Sequence, residues 1–341
     1  MKFRFILFLS LTLFLVQCKN DFEVNDDWKD ITVVYGLLNS ADSIQYVRVS
    51  KAFLGDADAF TMAQQSDSLY YKNINVTLEE WINSNHTNTF LLEKDSLLPR
   101  DTGIFASNKN IYYKTSQQLN PNAKYKLVIW ENAKEISSET SLIQDFTVTT
   151  IPMQISLYNN ISGLEIKWNT PPNARIFEAT LKFRYYEITA IDTIKDSIDI
   201  VLPRQISTSI IGGENMSSLL IGTQFLSYVG NKMQQKPNVI KRVVAKNCFG
   251  ISFMVGTDEL YTYMQVNAPS TGIVTEKPAY TNINNGIGIF TSRFLKRLPY
   301  NRMPSQQTVD ALSQNSTTSN LKFLNYSQTT PLWTGTGFNF P

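Results

Sequence analysis

Gly163-Leu164-Glu165-Ile166-Lys167-Trp168 alternates apolar with polar residues, so Leu164, Ile166 and Trp168 share one face of an extended strand. Asn169-Thr170-Pro171-Pro172-Asn173 breaks the pattern with turn residues and prolines that offer no ladder N–H. Ala179 to Ile188 then resumes it as A-T-L-K-F-R-Y-Y-E-I. Short alternating segments of this kind predict sheet packed on sheet, with the indole filling a space about 10 Å thick.

Reading toward the amino terminus, the same signal recurs. Ile31 to Leu38 (I-T-V-V-Y-G-L-L), Ile44 to Val49, Asn75 to Trp81, Ile111 to Thr115, Tyr125 to Trp130 and Leu142 to Thr149 are strand candidates. Turn residues such as Asn83-Ser84-Asn85 and Asn120-Pro121-Asn122 separate them. The chain therefore reads as mainly β, with a first β-sandwich over residues 31–152 and a second over 153–298. In the second unit, the order of strand, tryptophan, prolines and tyrosine-rich strand resembles a fibronectin type III domain. Met216, Leu219, Leu220, Leu226, Val229 and Met233 fall at helical spacing, with Glu214 before them and Lys232, Lys236 and Pro237 after. They predict a helix over residues 214–236 inserted in that unit, although Gly222 and Gly230 weaken it by up to about 1 kcal/mol each. Val239 to Ala245 and Gly286 to Phe290 return to strand. Residues 299–341 read as a polar extension that Leu321, Phe323, Leu324 and Trp333 would pin down only in parts.

The other end states where the protein resides. Lys2 and Arg4 precede an apolar run from Phe5 to Val16, followed by Gln17-Cys18-Lys19-Asn20-Asp21. A basic start, a short apolar core and a cysteine directly after it predict a lipoprotein signal peptide over residues 1–17 and a lipidated Cys18. Several acyl chains then give stable anchoring, where one would be marginal. Residues 18–30 form an acidic tether. Once Lys2 and Arg4 leave with the signal, the formal charge of +2 falls to about zero, so no basic stripe favours nucleic acid. The remaining cysteine, Cys248, sits in an apolar stretch and has no second thiol to pair with.

Several segments together resemble a Bacteroidota lipoprotein family, domain of unknown function 4249 (DUF4249). They are Cys18, the V-V-Y-G-L-L strand, Tyr46-Val47-Arg48-Val49-Ser50, the Asn75 to Trp81 strand, Asp258-Glu259-Leu260-Tyr261-Thr262-Tyr263 and Thr281 to Phe290. The last is similar to the family's N-I-x-G-G-x-G-x-F, with Asn285 in place of the first paired glycine. Asparagine tolerates positive φ nearly as well. The resemblance implies an outer-membrane lipoprotein, often encoded beside a TonB-dependent receptor. Asp21-Phe22-Glu23 is similar to acidic surface-export signals, which implies an outward-facing protein. These motifs speak to fold, not chemistry.

Catalytic constellations are sparse, and no cofactor is expected. His86, the single histidine, lies in the polar turn Ser84 to Asn88, with no G-x-S-x-G nucleophile elbow anywhere in the chain. Glu79-Glu80 would face opposite sides of a strand and reads as solvated charge rather than an acid–base pair. Asp56 and Asp58 lack the further oxygen ligands of a calcium loop, and Gly212-Gly213, which could make an anion site at the helix start, reads instead as a plain turn. One ring each of Tyr70-Tyr71, Tyr112-Tyr113 and Tyr185-Tyr186 would lie outside the core, free to stack on sugars or a partner. Asp followed by Ser or Thr and an aliphatic residue recurs more often than composition gives. It resembles a periplasmic O-glycosylation sequon at Ser43, Ser68, Ser96, Thr193 and Ser197. The expectation is a non-enzymatic binding or assembly accessory to a TonB-dependent transporter, with a surface adhesion protein contacting glycans as the alternative.

Overall fold

The computed structural model describes residues 31–52, 69–97, 110–269 and 279–334. Cys18, the tether, Asp56, Asp58 and Ser68 lie outside the described residues. The chain is mainly β, in two sandwiches with separate apolar clusters.

In the first unit the strands are β1 (Thr32–Leu38), β2 (Gln45–Lys51), β3 (Asn75–Ile82), β4 (Asn85–Leu91), β5 (Glu93–Asp95), β6 (Tyr112–Thr115), β7 (Lys124–Glu131) and β8 (Lys134–Ser141). One sheet runs β4-β3-β7-β8 and faces β1, β2, β6 and β5. Val34, Leu38, Val47, Leu78, Tyr125 and Ile129 fill the space between them. Lys134–Ser141 replaces the strand expected over Leu142 to Thr149. Its inward residues include Ser138 and Thr140, both buried, so no apolar alternation advertised it. β4 escaped notice for the opposite reason: six of its seven residues are exposed and the seventh, Phe90, is half-buried. Residues 142–147 cross between the units, Leu142 joining the first core and Ile143 the second.

The second unit contains β9 (Val148–Thr150), β10 (Gln154–Ile155), β11 (Gly163–Asn169), β12 (Ile176–Ile188), β13 (Thr193–Val201), β14 (Gln205–Ile206) and β15 (Asn215–Ile221). Helix α1 (Gly222–Lys232), β16 (Lys241–Gly256), α2 (Asp258–Val266) and β17 (Gly286–Arg297) follow. β15-β11-β9 packs over β13-β12-β16. As the opening stretch implied, Trp168 is buried between the sheets, its ring 5.6 Å from that of Phe177 and 5.1 Å from that of Phe253.

The helix expected over 214–236 is shorter than its spacing suggested. Asn215–Ile221 is a strand antiparallel to β11, and only Gly222–Lys232 is helical. Met216 and Leu220 satisfy a period of two as well as helical spacing, and the open ladder of β11 decides between them. Gly222 opens the helix because a Cβ there would stand 2.3 Å from the Tyr158 nitrogen. Glu214 is no helix-start residue either. Its carboxylate accepts from the Ser207 hydroxyl at 2.5 Å and the Thr208 N–H at 2.8 Å, closing a loop.

β17 binds the two units together. Its first half pairs in parallel with β1, from Thr32 against Gly286 to Leu38 against Ser292. Its second half pairs antiparallel with β16, from Ser252 against Arg297 to Gly256 against Arg293. One sheet of nine strands thus runs through both sandwiches. The Thr281 to Phe290 motif makes the entry. Asn282 Oδ1 accepts from the Phe290 N–H at 3.0 Å while its Nδ2 donates to the Phe290 carbonyl at 2.7 Å. Asn285 takes φ 58°, and its side chain donates to the Glu135 carbonyl at 2.9 Å.

Residues 299–334 are not a loose extension. β18 (Met303–Pro304) pairs with β10, and α3 (Gln306–Gln314), α4 (Tyr326–Thr329) and two 3-10 turns cover one end of the second sandwich. Ser305 caps α3, its hydroxyl accepting from the Thr308 N–H. Val309, Leu312, Leu321, Phe323 and Trp333 are buried. The high Ser, Thr, Asn and Gln content is spent on caps and turns, while a few apolar residues at helical spacing carry the packing.

Candidate functional site

The outward face of β4-β3-β7-β8 carries rows of side chains set by cross-strand register. One row is His86, Trp81, Lys124 and Ser141; the next holds Glu79, Lys126 and Glu139. The two-residue turn Asn83-Ser84, both at positive φ, ends the β3–β4 hairpin. Beside it, the loop before β7 brings up Pro121 and Asn122, the crossing segment contributes Gln144, and the second unit contributes Asn173. Together they enclose a cleft of about 490 Å³. A second hollow of about 270 Å³ continues it, sharing Lys124, Glu139, Ser141 and Asn173 and reaching Ile210, Asp258 and Glu259.

The walls are held in place. Asn173, at φ 66°, receives its shape from its own N–H, which donates to the Ile210 carbonyl at 2.8 Å, and from its Nδ2, which donates to the Leu142 carbonyl at 3.1 Å. The Trp81 Nε1 donates to Glu79 at 3.2 Å, and its ring lies 5.2 Å from that of His86. Gln144 Nε2 donates to Asn122 Oδ1 at 2.8 Å. Lys124 pairs with Glu139 at 2.6 Å and Lys126 with Glu135 at 3.3 Å, so each lysine of the cleft has a carboxylate partner.

Glu79 and Glu80 do face opposite sides, but Glu80 is not solvated. It is buried at the inner face, accepting from the Tyr125 hydroxyl at 2.7 Å, Thr87 Oγ1 at 2.8 Å and Asn88 Nδ2 at 2.8 Å. Burial opposes its charge, yet these three hydrogen bonds together hold its pKa below 4.5, its ordinary value. Folding stability from this group is therefore complete above the unfolded carboxylate pKa and is lost as pH falls through the lower folded value. Glu80→Gln should cost about 2 kcal/mol at neutral pH and flatten the acid side of a stability-versus-pH profile measured by denaturant titration. An unchanged profile would mean that the three donors contribute nothing to this ionisation.

His86 is exposed on β4, its Nε2 bonded to Thr89 Oγ1 at 2.8 Å. Among the described residues, no group of three or more His, Cys, Asp or Glu side chains lies close enough to hold a metal ion. Gly212-Gly213 stands well before the helix and not at its start; the Gly213 N–H donates to the carbonyl of Thr170, in the loop after β11. The first N–H groups of α1 are taken by the carbonyls of Ser162 and Asn159, which removes the anion-site reading. Cys248 is fully buried in β16, and burial pushes its thiol pKa up.

The tyrosine pairs do not offer outward rings. Tyr70, Tyr71, Tyr185 and Tyr186 are all buried; only Tyr112 is half-exposed, its edge toward Tyr46. Both chain directions at Tyr70-Tyr71 and Tyr185-Tyr186 meet packed elements, so alternation did not imply exposure. The aromatic of the cleft is Trp81, which the sequence marks only by its outward register, opposite Leu78 and Glu80, and by the turn that follows it.

Of the sequon-like sites, Ser43, Ser96 and Thr193 are exposed at strand ends, and Ser197 is half-buried on the edge strand β13. The preceding aspartates serve local structure. Asp95 pairs with Lys114 at 2.7 Å and accepts from the Leu97 N–H, Asp192 accepts from the Thr193 N–H, and Asp196 from the Ser197 N–H.

Among the described residues, no helix is long and apolar enough to cross a membrane. No family model matches the chain, and no curated protein does. Among solved structures, the C-terminal globular domain of an oligosaccharyltransferase from Pyrococcus abyssi aligns at a TM-score of 0.24 and 12% identity. The alignment covers 63% of this chain and 45% of that one, a likeness too slight to carry an argument about activity.

Proposed function

We propose that this protein is a non-enzymatic, lipid-anchored outer-membrane lipoprotein of the DUF4249 kind. In this reading it serves as a binding or assembly accessory to a TonB-dependent transporter and faces outward. The signal-like start and Cys18 supply the anchor, and the motifs from Val33 to Phe290 supply the family likeness. The observation that carries the reading is the cleft between the two sandwiches, whose walls come from both units. Because β17 is shared by both, the walls hold a fixed relation, as a capture surface requires. Ser43, Ser96 and Thr193 are exposed, which leaves room for glycans there.

The carboxylates nearest the cleft favour binding over chemistry. Glu139 is paired with Lys124, and Asp258 with Arg175 at 3.2 Å. Affinity purification of the tagged native protein from detergent-solubilised outer membranes should recover a barrel protein in constant ratio. Recovery of the chain without any barrel would overturn the accessory role.

A further inference from the structure

We infer that the junction cleft binds a neutral oligosaccharide, with the Trp81 indole as its stacking platform. The inference deepens the accessory role proposed above and rests on it for its biological setting only. A volume of about 490 Å³ suits a few pyranose units, within the usual range of about 300–1,000 Å³ for small-molecule sites. The indole is held by Glu79 and flanked by His86, so little side-chain freedom is lost when a sugar's C–H face packs on it.

The rim suits hydroxyl groups. Each sugar hydroxyl donates one hydrogen bond and accepts others, and amides offer both functions on one side chain. The Asn122–Gln144 contact consumes the oxygen of one amide and an N–H of the other, leaving Asn122 as donor and Gln144 as acceptor. Asn173 is engaged through its nitrogen, which leaves its oxygen as acceptor. The Asn83 and Ser84 side chains stand exposed at the opposite lip.

Other ligand classes fit less well. The Lys124–Glu139 and Lys126–Glu135 pairs leave neither lysine unopposed for an anion, and the Glu79 carboxylate beside them is engaged by the Trp81 Nε1. Of the apolar lining residues, Ala123 and Leu142 are buried, so the open apolar surface is confined to the Trp81 indole and Pro121, a platform rather than a hydrophobic pocket. The part of the cleft at Trp81 lies over the face of β3 and β7, whose ladder groups are already paired on both sides, so an extended peptide finds no edge to join there.

The test is retention of the full-length chain, in detergent, on an array of immobilised neutral and acidic oligosaccharides. Neutral glycans should retain the wild type. Trp81→Ala should weaken that binding about tenfold, and Trp81→Phe by no more than about threefold. Asn122→Ala, at an exposed turn, should also weaken it while leaving the thermal unfolding profile unchanged. Retention by acidic glycans alone would overturn the inference. So would neutral binding indifferent to both Trp81→Ala and Asn122→Ala. No glycan retained by a chain that still recovers its barrel would remove the ligand and leave the accessory role. Glycan binding without a barrel would support the ligand and remove the transporter.

Discussion

Arg242→Ala is expected to destabilise the protein by about 3–5 kcal/mol and to loosen residues 306–334 before the rest of the chain unfolds. Arg242 and Glu187 are each only 2% exposed at the side chain, an ion pair within the second core. The guanidinium donates to Glu187 Oε1 from Nε at 3.0 Å and from Nη2 at 2.7 Å. It also donates to the Leu321 carbonyl at 2.7 Å and the Gln234 carbonyl at 3.0 Å, while Lys236 reaches Glu187 Oε2 at 2.8 Å. Every polar atom is used, so the desolvation of both charges is offset by geometry. Removing the guanidinium leaves the buried Glu187 Oε1 and the Leu321 and Gln234 carbonyls without donors, with only Lys236 still on the carboxylate, which is the costly case.

The same residue also anchors the C-terminal cap through its backbone. The Arg242 N–H donates to the Lys322 carbonyl at 2.8 Å, and the Leu324 N–H donates to the Arg242 carbonyl at 2.9 Å. Trp333 Nε1 adds a bond to the Val244 carbonyl at 2.8 Å. Hydrogen exchange should therefore rise first in α3 and α4. Replacing both partners, as Glu187→Leu with Arg242→Met, should restore much of the loss, because no charge is then left alone. Denaturation of Arg242→Ala at the wild-type midpoint, with α3 still protected, would show that the network carries no stability.

Gly288→Val should cost about 3 kcal/mol or more and separate the two sandwiches at β1–β17. Gly288 has φ 114°, which a β-branched residue scarcely adopts, and it stands opposite Val34 in the parallel pair. A Cβ there would lie 2.0 Å from the Val34 carbonyl oxygen and 3.0 Å from its carbon. Both are backbone atoms of a strand buried in the first core, so neither side can yield without breaking ladder bonds. Faster proteolytic cleavage between the units is the expected readout, together with a lowered denaturation midpoint. A variant as resistant as the wild type would mean that β17 is not what joins them.

Much of the architecture was legible along the chain because burial on one face writes a period of two. The opening hexapeptide placed Trp168 between sheets, and Val33 to Leu38, Tyr46 to Ser50 and Asn75 to Trp81 all emerged as strands. Where burial is absent or carried by Ser and Thr, the period vanishes, which hid β4 and β8. Where two periods coincide, as at Met216 and Leu220, only the neighbouring ladder could choose. Helical spacing alone overran that choice by a full strand.

The cleft was less legible than the fold. Its members lie between Trp81 and Asn173 in the sequence, and no local pattern joins a hairpin lip to a turn ninety residues later. Alternation told that Glu79 and Glu80 oppose each other, yet not that three donors would gather around Glu80. By itself the sequence determined the class of fold, the asparagine and glycine turns and the signal-like start, since each depends on residues close along the chain. Only the tertiary structure decided that β17 would serve two sheets, that a polar tail would become a packed cap, and that Trp81 would meet Asn122 and Asn173. Those outcomes depend on which distant surfaces bury one another, and burial between distant segments leaves no period in either.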